Sequence, residues 1–215
     1  MNDGRLRVAL TFDAEHPDRA WCPPGNVERI LDTLRETGVR ATFFVQGRWA
    51  ESQPAAARRI ADDGHLVGHH SHYHARMPLL HDDGLREDIL DAQAVIESAT
   101  GNDPRPWFRC PFGAGAEDER VLGVLHELGY RNVHWHVELE DWTATRTGPM
   151  ITKDAIQGVR EHGDGAVVLL HTWPGGTGDA VGPMIAGLRD AGVSFVSVDQ
   201  LGDLQIGRAS CRERV

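Results

Sequence analysis

Short apolar runs alternate with amphipathic segments along this chain, and their spacing predicts its elements. Leu6 to Phe12 reads as a buried strand. Pro23-Pro24-Gly25-Asn26 opens a helix with Val27, Ile30, Leu31 and Leu34 on one face, ending at Gly38. Ala41 to Val45 and His65 to His70 read as strands, with an alanine- and arginine-rich helix from Ser52 to Asp63 between them. Leu85 to Ala99 and Glu117 to Leu128 follow as helices around the brief strand Trp107-Phe108, the second helix with acids in its first turn. Arg131 to Val137 reads as one strand, and Thr152 caps a helix running to Glu161. Ala166 to Leu170 is the most strand-like run. A helix from Val181 to Asp190 and a last strand from Val193 to Val198 complete the pattern.

Strand and helix alternate about seven times, the signature of an α/β fold around a parallel sheet, open or closed into a barrel. No repeat, linker or low-complexity tract interrupts it, so residues 1–205 read as one domain. Residues 206–215, from Ile206 to Val215, resemble the translated read-through of a common sequencing adapter. They are read as a non-native tail whose removal leaves the fold intact.

Composition narrows the function classes. The chain has 215 residues, 40% hydrophobic and 25% charged, as a soluble globular domain has. A net charge of −10 argues against a phosphate-backbone partner, which needs clustered Lys and Arg. No apolar run is long enough to span a bilayer, so no membrane partner is expected. No signal peptide is visible, and Cys22, Cys110 and Cys211 form no CxxC pair. The expected setting is therefore reducing and cytoplasmic.

Polar residues gather where the predicted strands end, at Asp13, His70, Arg109, Glu138 and His171. Strand C-termini carry the chemistry of α/β barrels. His70 and His74 can present two imidazoles to one metal ion, especially on a helical turn, although a histidine-rich surface loop would look similar. His69 and His72 cannot all point the same way as this pair. Asp13 could serve as ligand or base, or merely cap a turn. Arg109 precedes Cys110-Pro111-Phe112-Gly113, where a rigid loop could aim a backbone N–H at an oxyanion while Arg109 holds a carboxylate. Trp135 to Trp142 mixes acids with two indoles. His171 ends a wholly apolar strand, a place where a lone histidine is more often structural.

Taken in order, five segments resemble the motifs of the polysaccharide deacetylases, the NodB-homology carbohydrate esterases of family 4. They are Thr11-Phe12-Asp13-Ala14, His70-Ser71-His72-Tyr73-His74, Arg109 to Gly113, Glu138 to Trp142, and Leu170-His171. The resemblance covers residues 6 to 200, and it implies a distorted (β/α)7 barrel and a deacetylase that hydrolyses carbon–nitrogen amide bonds. It implies Asp13 as general base, oriented by Arg109, and His171 as general acid, tuned by Asp141. His70 and His74 become ligands of one divalent metal, most simply zinc. Phe112 contributes its backbone N–H to the oxyanion, and Trp142 walls the groove. The implied partner is an N-acetylated saccharide or another small amide.

Three positions depart from the family pattern. Ala14 stands where a second, metal-binding Asp is usual, Glu138 replaces an Asp, and Thr172 replaces the Asp that usually follows the last histidine. Glu15 is the expected third ligand, because residues two apart on an extended strand face the same side, as Asp13 and Glu15 do. His16 is the alternative, and it needs the chain to turn first, against the bias of Pro17. Two other readings stand beside the deacetylase: a hydrolase of another linear or cyclic amide, and an inactive carbohydrate-binding homologue.

Overall fold

The computed structural model describes residues 5–16 and 22–202, and the 206–215 tail lies outside them. Its elements are β1 (Leu6–Ala14), α1 (Asn26–Thr37), β2 (Thr42–Val45), α2 (Gly47–Ser52), α3 (Pro54–Asp62), β3 (Leu66–His69), α4 (Asp82–Thr100), β4 (Trp107–Phe108), α5 (Glu119–Glu127), β5 (Arg131–Asn132), β6 (Val137–Glu138), α6 (Gly148–His162), β7 (Ala166–His171), α7 (Gly175–Asp190) and β8 (Val193–Phe195). The strands form one parallel sheet in the order β5-β4-β3-β2-β1-β7-β6. β1 is central. β7 lies along Val8 to Asp13, while the other edge of β1 is shared by β8 at Leu6 to Val8 and β2 at Thr11 to Ala14. Among the described residues no ladder joins β5 to β6, so the barrel is distorted and open at that seam.

The period-2 alternation of strands sorts side chains between two cores. Val8, Leu10, Phe12 and Ala14 of β1, with Val168 and Leu170 of β7, pack outward against α1, α6 and α7. Ala9 and Val167 face inward with Phe44 and Val133. The same alternation turns Thr11, Asp13 and His171 inward, and the register sets Asp13 directly beside His171. In β3, Gly68 is the inward position, and a Cβ there would meet the Phe44 ring at 2.7 Å. The missing side chain leaves room for that ring, on which Arg109 rests at 4.1 Å.

Several elements depart from the sequence pattern. Arg131 to Val137 is two strands, because the chain crosses the seam: the Val133 N–H donates to Phe108 O at 2.6 Å, whereas the His136 N–H donates to Val167 O at 2.9 Å. A uniformly β-prone run hides such a switch of partner. Thr152 caps nothing. α6 starts four residues earlier with Pro149 in its first turn, where a missing N–H costs nothing, and the Thr152 hydroxyl donates to Ala180 O at 3.3 Å. α7 starts at Gly175 rather than Val181. Its glycines answer close packing: a Cβ on Gly176 would lie 2.6 Å from Arg146 O. The short α2 was not expected, and the stretch after Phe195 forms a 3-10 turn, Val198–Leu201, in place of more strand.

Candidate active site

Asp13 leaves β1 on the inner face and Glu15 follows on the same side, both nearly fully buried. Opposite them His70 extends from β3 into the loop 70–74. That loop is not a helical turn, as the histidine spacing had suggested: Ser71 (φ 64°) and His74 (φ 58°) are left-handed. Hydrogen bonds hold this reversal. The Ser71 N–H donates to His69 Nδ1 at 3.0 Å, and the His74 N–H donates to Ser71 Oγ at 3.0 Å. Asp88 of α4, buried, accepts the N–H groups of His72 and Tyr73 at 3.0 and 3.1 Å. His69 is structural, its Nε2 donating to Ile89 O at 2.9 Å.

Glu15, His70 and His74 converge. Glu15 Oε2 lies 3.1 Å from His70 Nε2 and in closer contact with His74 Nε2. The ligating atoms of the three all fall within 4.8 Å of one another. His70 Nδ1 meets the Arg109 carbonyl at 2.9 Å, and a carbonyl only accepts, so Nδ1 carries the proton. Nε2 is left facing the Glu15 carboxylate, with Asp13 Oδ2 also near it at 3.5 Å. Such a set calls for a cation between its members. Two imidazoles and one carboxylate, with the cleft open before them, fit a divalent metal of the zinc type. Burial pushes the Glu15 carboxyl up, but hydrogen bonds from His16, His70 and His74 and the His171 charge prevail, and hold it well below the ordinary carboxylate range. Burial lowers His70, yet the Asp13 and Glu15 charges leave it raised.

Two further pairs flank this cluster. Arg109, fully buried, donates from Nη1 to Asp13 Oδ1 at 2.8 Å and from Nε to Val133 O at 3.1 Å. His171 Nδ1 meets Asp141 Oδ1 at 2.7 Å. Burial lowers His171, but the Asp141 charge and hydrogen bond outweigh that, and its pKa rises to about 9. A cleft of about 330 Å³, within the range of small-molecule sites, opens over Asp13, Glu15, His70, His74 and His171, with Arg109 and Asp141 behind its wall. Trp142 stands edge-on to His171 at 5.2 Å between ring centroids, and the exposed Phe112 ring meets His74 at 4.4 Å. Phe112 is left-handed (φ 58°).

The structure thus brings together all nine residues singled out from the sequence. His16 also reaches the site, because the chain turns at it (φ 54°), and its Nε2 lies 3.0 Å from Glu15 Oε1. Trp135 and Glu138, noted in the sequence without a role, wall the cleft together with Trp173, which sequence reasoning missed. It also missed Asn26, whose Nδ2 donates to the carbonyls of Thr172 and Pro174 at 2.8 and 3.0 Å and pins the exit of β7. Asp88 gave no signal, since a helix acid looks like any solvated one.

A parallel α/β barrel with oriented acid–base groups and a His-His-carboxylate cluster at its strand ends is the architecture of a hydrolase barrel. A family model described as polysaccharide deacetylase matches residues 2–133. The chain belongs to the polysaccharide deacetylase family. It is 31% identical over 201 residues to the peptidoglycan-N-acetylglucosamine deacetylase of Bacillus cereus, covering 92% of this chain and 68% of that protein. Among solved structures, the T48 deacetylase with substrate aligns with a TM-score of 0.78 at 31% identity, covering 92% of this chain and 90% of that one. A CE4 family pseudoenzyme from Bacillus anthracis aligns with a TM-score of 0.80 at 27% identity, covering 92% and 66%.

Proposed function

We propose that this chain removes N-acetyl groups from an amino-sugar-containing saccharide, with one divalent cation, zinc by the chemistry of its donors, held by His70, His74 and Glu15. The observation that carries this reading is the meeting of Glu15 Oε2 with His70 Nε2 at 3.1 Å, beside two acid–base groups each oriented by its own partner. When bound, such an ion polarises the amide carbonyl and makes a water more acidic. Asp13 takes the proton of the attacking water. Arg109 occupies its Oδ1, which leaves Oδ2 for that proton. His171 donates from Nε2 to the departing nitrogen, since Asp141 holds its Nδ1. The amine then leaves neutral, and the products are acetate and a free amino sugar. Phe112 offers its backbone N–H to the developing oxyanion, and Trp142 lines the sugar's path.

The names of the relatives support the saccharide class. Ala14, where the family carries a metal-binding Asp, and the likeness to a pseudoenzyme support a second reading: a carbohydrate-binding homologue without turnover. Acetate release from N-acetylglucosamine oligomers, measured on zinc-loaded and chelated protein, decides between them. Release that requires metal is expected. Tight oligomer binding with no release in either form would favour the second reading.

A further inference from the structure

Glu15 stands in for a shorter family aspartate one place away, and its carboxylate has two distinct sides. Oε2 faces His70 and His74. Oε1 meets a different pair, His16 Nε2 at 3.0 Å and the Trp173 indole Nε1 at 3.3 Å, with His171 Nε2 farther off at 3.8 Å. We propose that His16 and Trp173 form a clamp that positions Glu15, and that this clamp is what lets a glutamate serve as the third ligand here. The inference rests on the reading of Glu15 as a ligand.

Glutamate has one more rotatable bond than aspartate, and leaving that bond loose would smear Oε2 across the site. An ionised carboxylate is acceptor-only, so the two N–H groups on Oε1 fix the side chain at that oxygen while Oε2 stays available. Both donors are themselves held. His16 is left-handed (φ 54°), and its backbone N–H donates to Gln46 Oε1 at 3.1 Å, while the Gln46 N–H donates to Ala14 O at 3.0 Å. That loop closure swings the His16 ring back over the carboxylate. Trp173 is buried, and the carbonyls on either side of it, of Thr172 and Pro174, both accept from Asn26. The arrangement also separates the two candidate ligands. With Nε2–H spent on Glu15, His16 stands behind the metal ligand instead of among the ligands.

The test uses Trp173→Phe, which keeps a ring and removes the donor, and His16→Asn, which suits the left-handed backbone and removes the imidazole. Zinc affinity is measured by chelator competition, and the cobalt-substituted protein is read by its visible spectrum. Each variant is expected to bind zinc about tenfold to a hundredfold more weakly with a changed cobalt spectrum, as loss of an outer-sphere donor does, while the apoprotein melts as wild type does. Affinity within about twofold of wild type in both variants would overturn the clamp. Should Trp173→Phe lower apoprotein stability, His16→Asn alone decides, because its ring is partly exposed and carries little core packing. Glu15→Ala separates the two levels of argument. Unchanged zinc affinity in that variant sinks the ligand assignment itself, whereas a loss there with no loss in the other two sinks the clamp alone.

Discussion

Asp141 grips His171 at two points: Oδ1 takes the ring Nδ1 at 2.7 Å, and Oδ2 accepts the backbone N–H of the same residue at 2.8 Å. The Thr177 hydroxyl, from the first turn of α7, donates to Oδ2 at 2.5 Å and fixes the carboxylate in turn. Ring orientation and tautomer are therefore set by one buried acid.

A pH dependence follows from this grip. The His171 pKa is raised to about 9, with burial opposing and Asp141 driving the rise, so the proton-donating form persists through neutral pH. Deacetylation should fall as pH rises through that pKa. A bound cation offsets the Glu15 and Asp13 charges, which places the limb of the loaded protein below about 9. Asp141→Asn removes the raising charge and should shift the limb to still lower pH. His171→Ala should cost about 10²–10⁴ in kcat at neutral pH. A limb that stays in place in Asp141→Asn, seen in the pH–rate profile, would dissociate the proton donor from this pair.

Asp13→Asn should abolish turnover and leave the metal in place. Asp13 Oδ2 stands 3.5 Å from His70 Nε2, outside the Glu15-His70-His74 cluster, while Oδ1 belongs to Arg109. The change also strips a fully buried guanidinium of its charged partner, at a stability cost of about 3–5 kcal/mol. Zinc content by elemental analysis, together with acetate release, checks both halves. Loss of zinc in the Asn variant would make Asp13 a ligand.

Much of this site was legible because two simple periodicities fix it. Asp13, His70, Arg109 and His171 each stand at or just past a strand end, and alternation along β1 and β7 turns Asp13 and His171 to one face. The residues that were not legible act across the fold. Asn26 reaches the carbonyls on either side of Trp173 only because α1 packs beside α7, and Asp88 reaches the 70–74 loop only because α4 lies against it. The split of Arg131 to Val137 was hidden because a change of strand partner leaves no mark on a β-prone run.

Acid should destabilise the fold below neutral pH through histidines buried in neutral form. Burial lowers His65 to about 4, and its Nδ1 accepts the Ala41 N–H at 3.2 Å. Burial likewise lowers His136 to about 4. Between about pH 4 and 6.5 the unfolded chain binds these protons and the native one does not, so stability rises with pH there. The histidines' contribution is complete above about 6.5 and is lost as pH falls toward 4, with a slope of at most about 1.4 kcal/mol per pH unit for His65 and less for the partly exposed His136, whose charge water screens. Urea midpoints at several pH values check this, and His65→Gln should flatten the slope. An unchanged slope in that variant would assign the acid lability elsewhere.

Two glycine-to-alanine changes in helices should have opposite signs. Gly123 lies exposed inside α5, and a Cβ there would meet nothing within 4 Å. Gly123→Ala should therefore stabilise by about 0.5–1 kcal/mol, the difference in helix propensity. Gly178 in α7 stands to gain the same propensity, but its Cβ would lie 2.3 Å from Asn26 Oδ1 and 2.3 Å from Arg29 Nη2. Asn26 cannot yield cheaply, since its Nδ2 holds the Thr172 and Pro174 carbonyls and its Oδ1 accepts from Arg29 at 2.7 Å. Displacing it forfeits three hydrogen bonds, each worth about 1 kcal/mol net, and the loss exceeds the propensity gain. Gly178→Ala should thus destabilise by about 1–3 kcal/mol. It should also weaken zinc binding, because Trp173 sits between the two carbonyls that Asn26 secures. Thermal melting of both variants with chelator-measured zinc affinity tests this. A Gly178→Ala protein as stable as Gly123→Ala would show that the α1–α7 contact is looser than its geometry indicates.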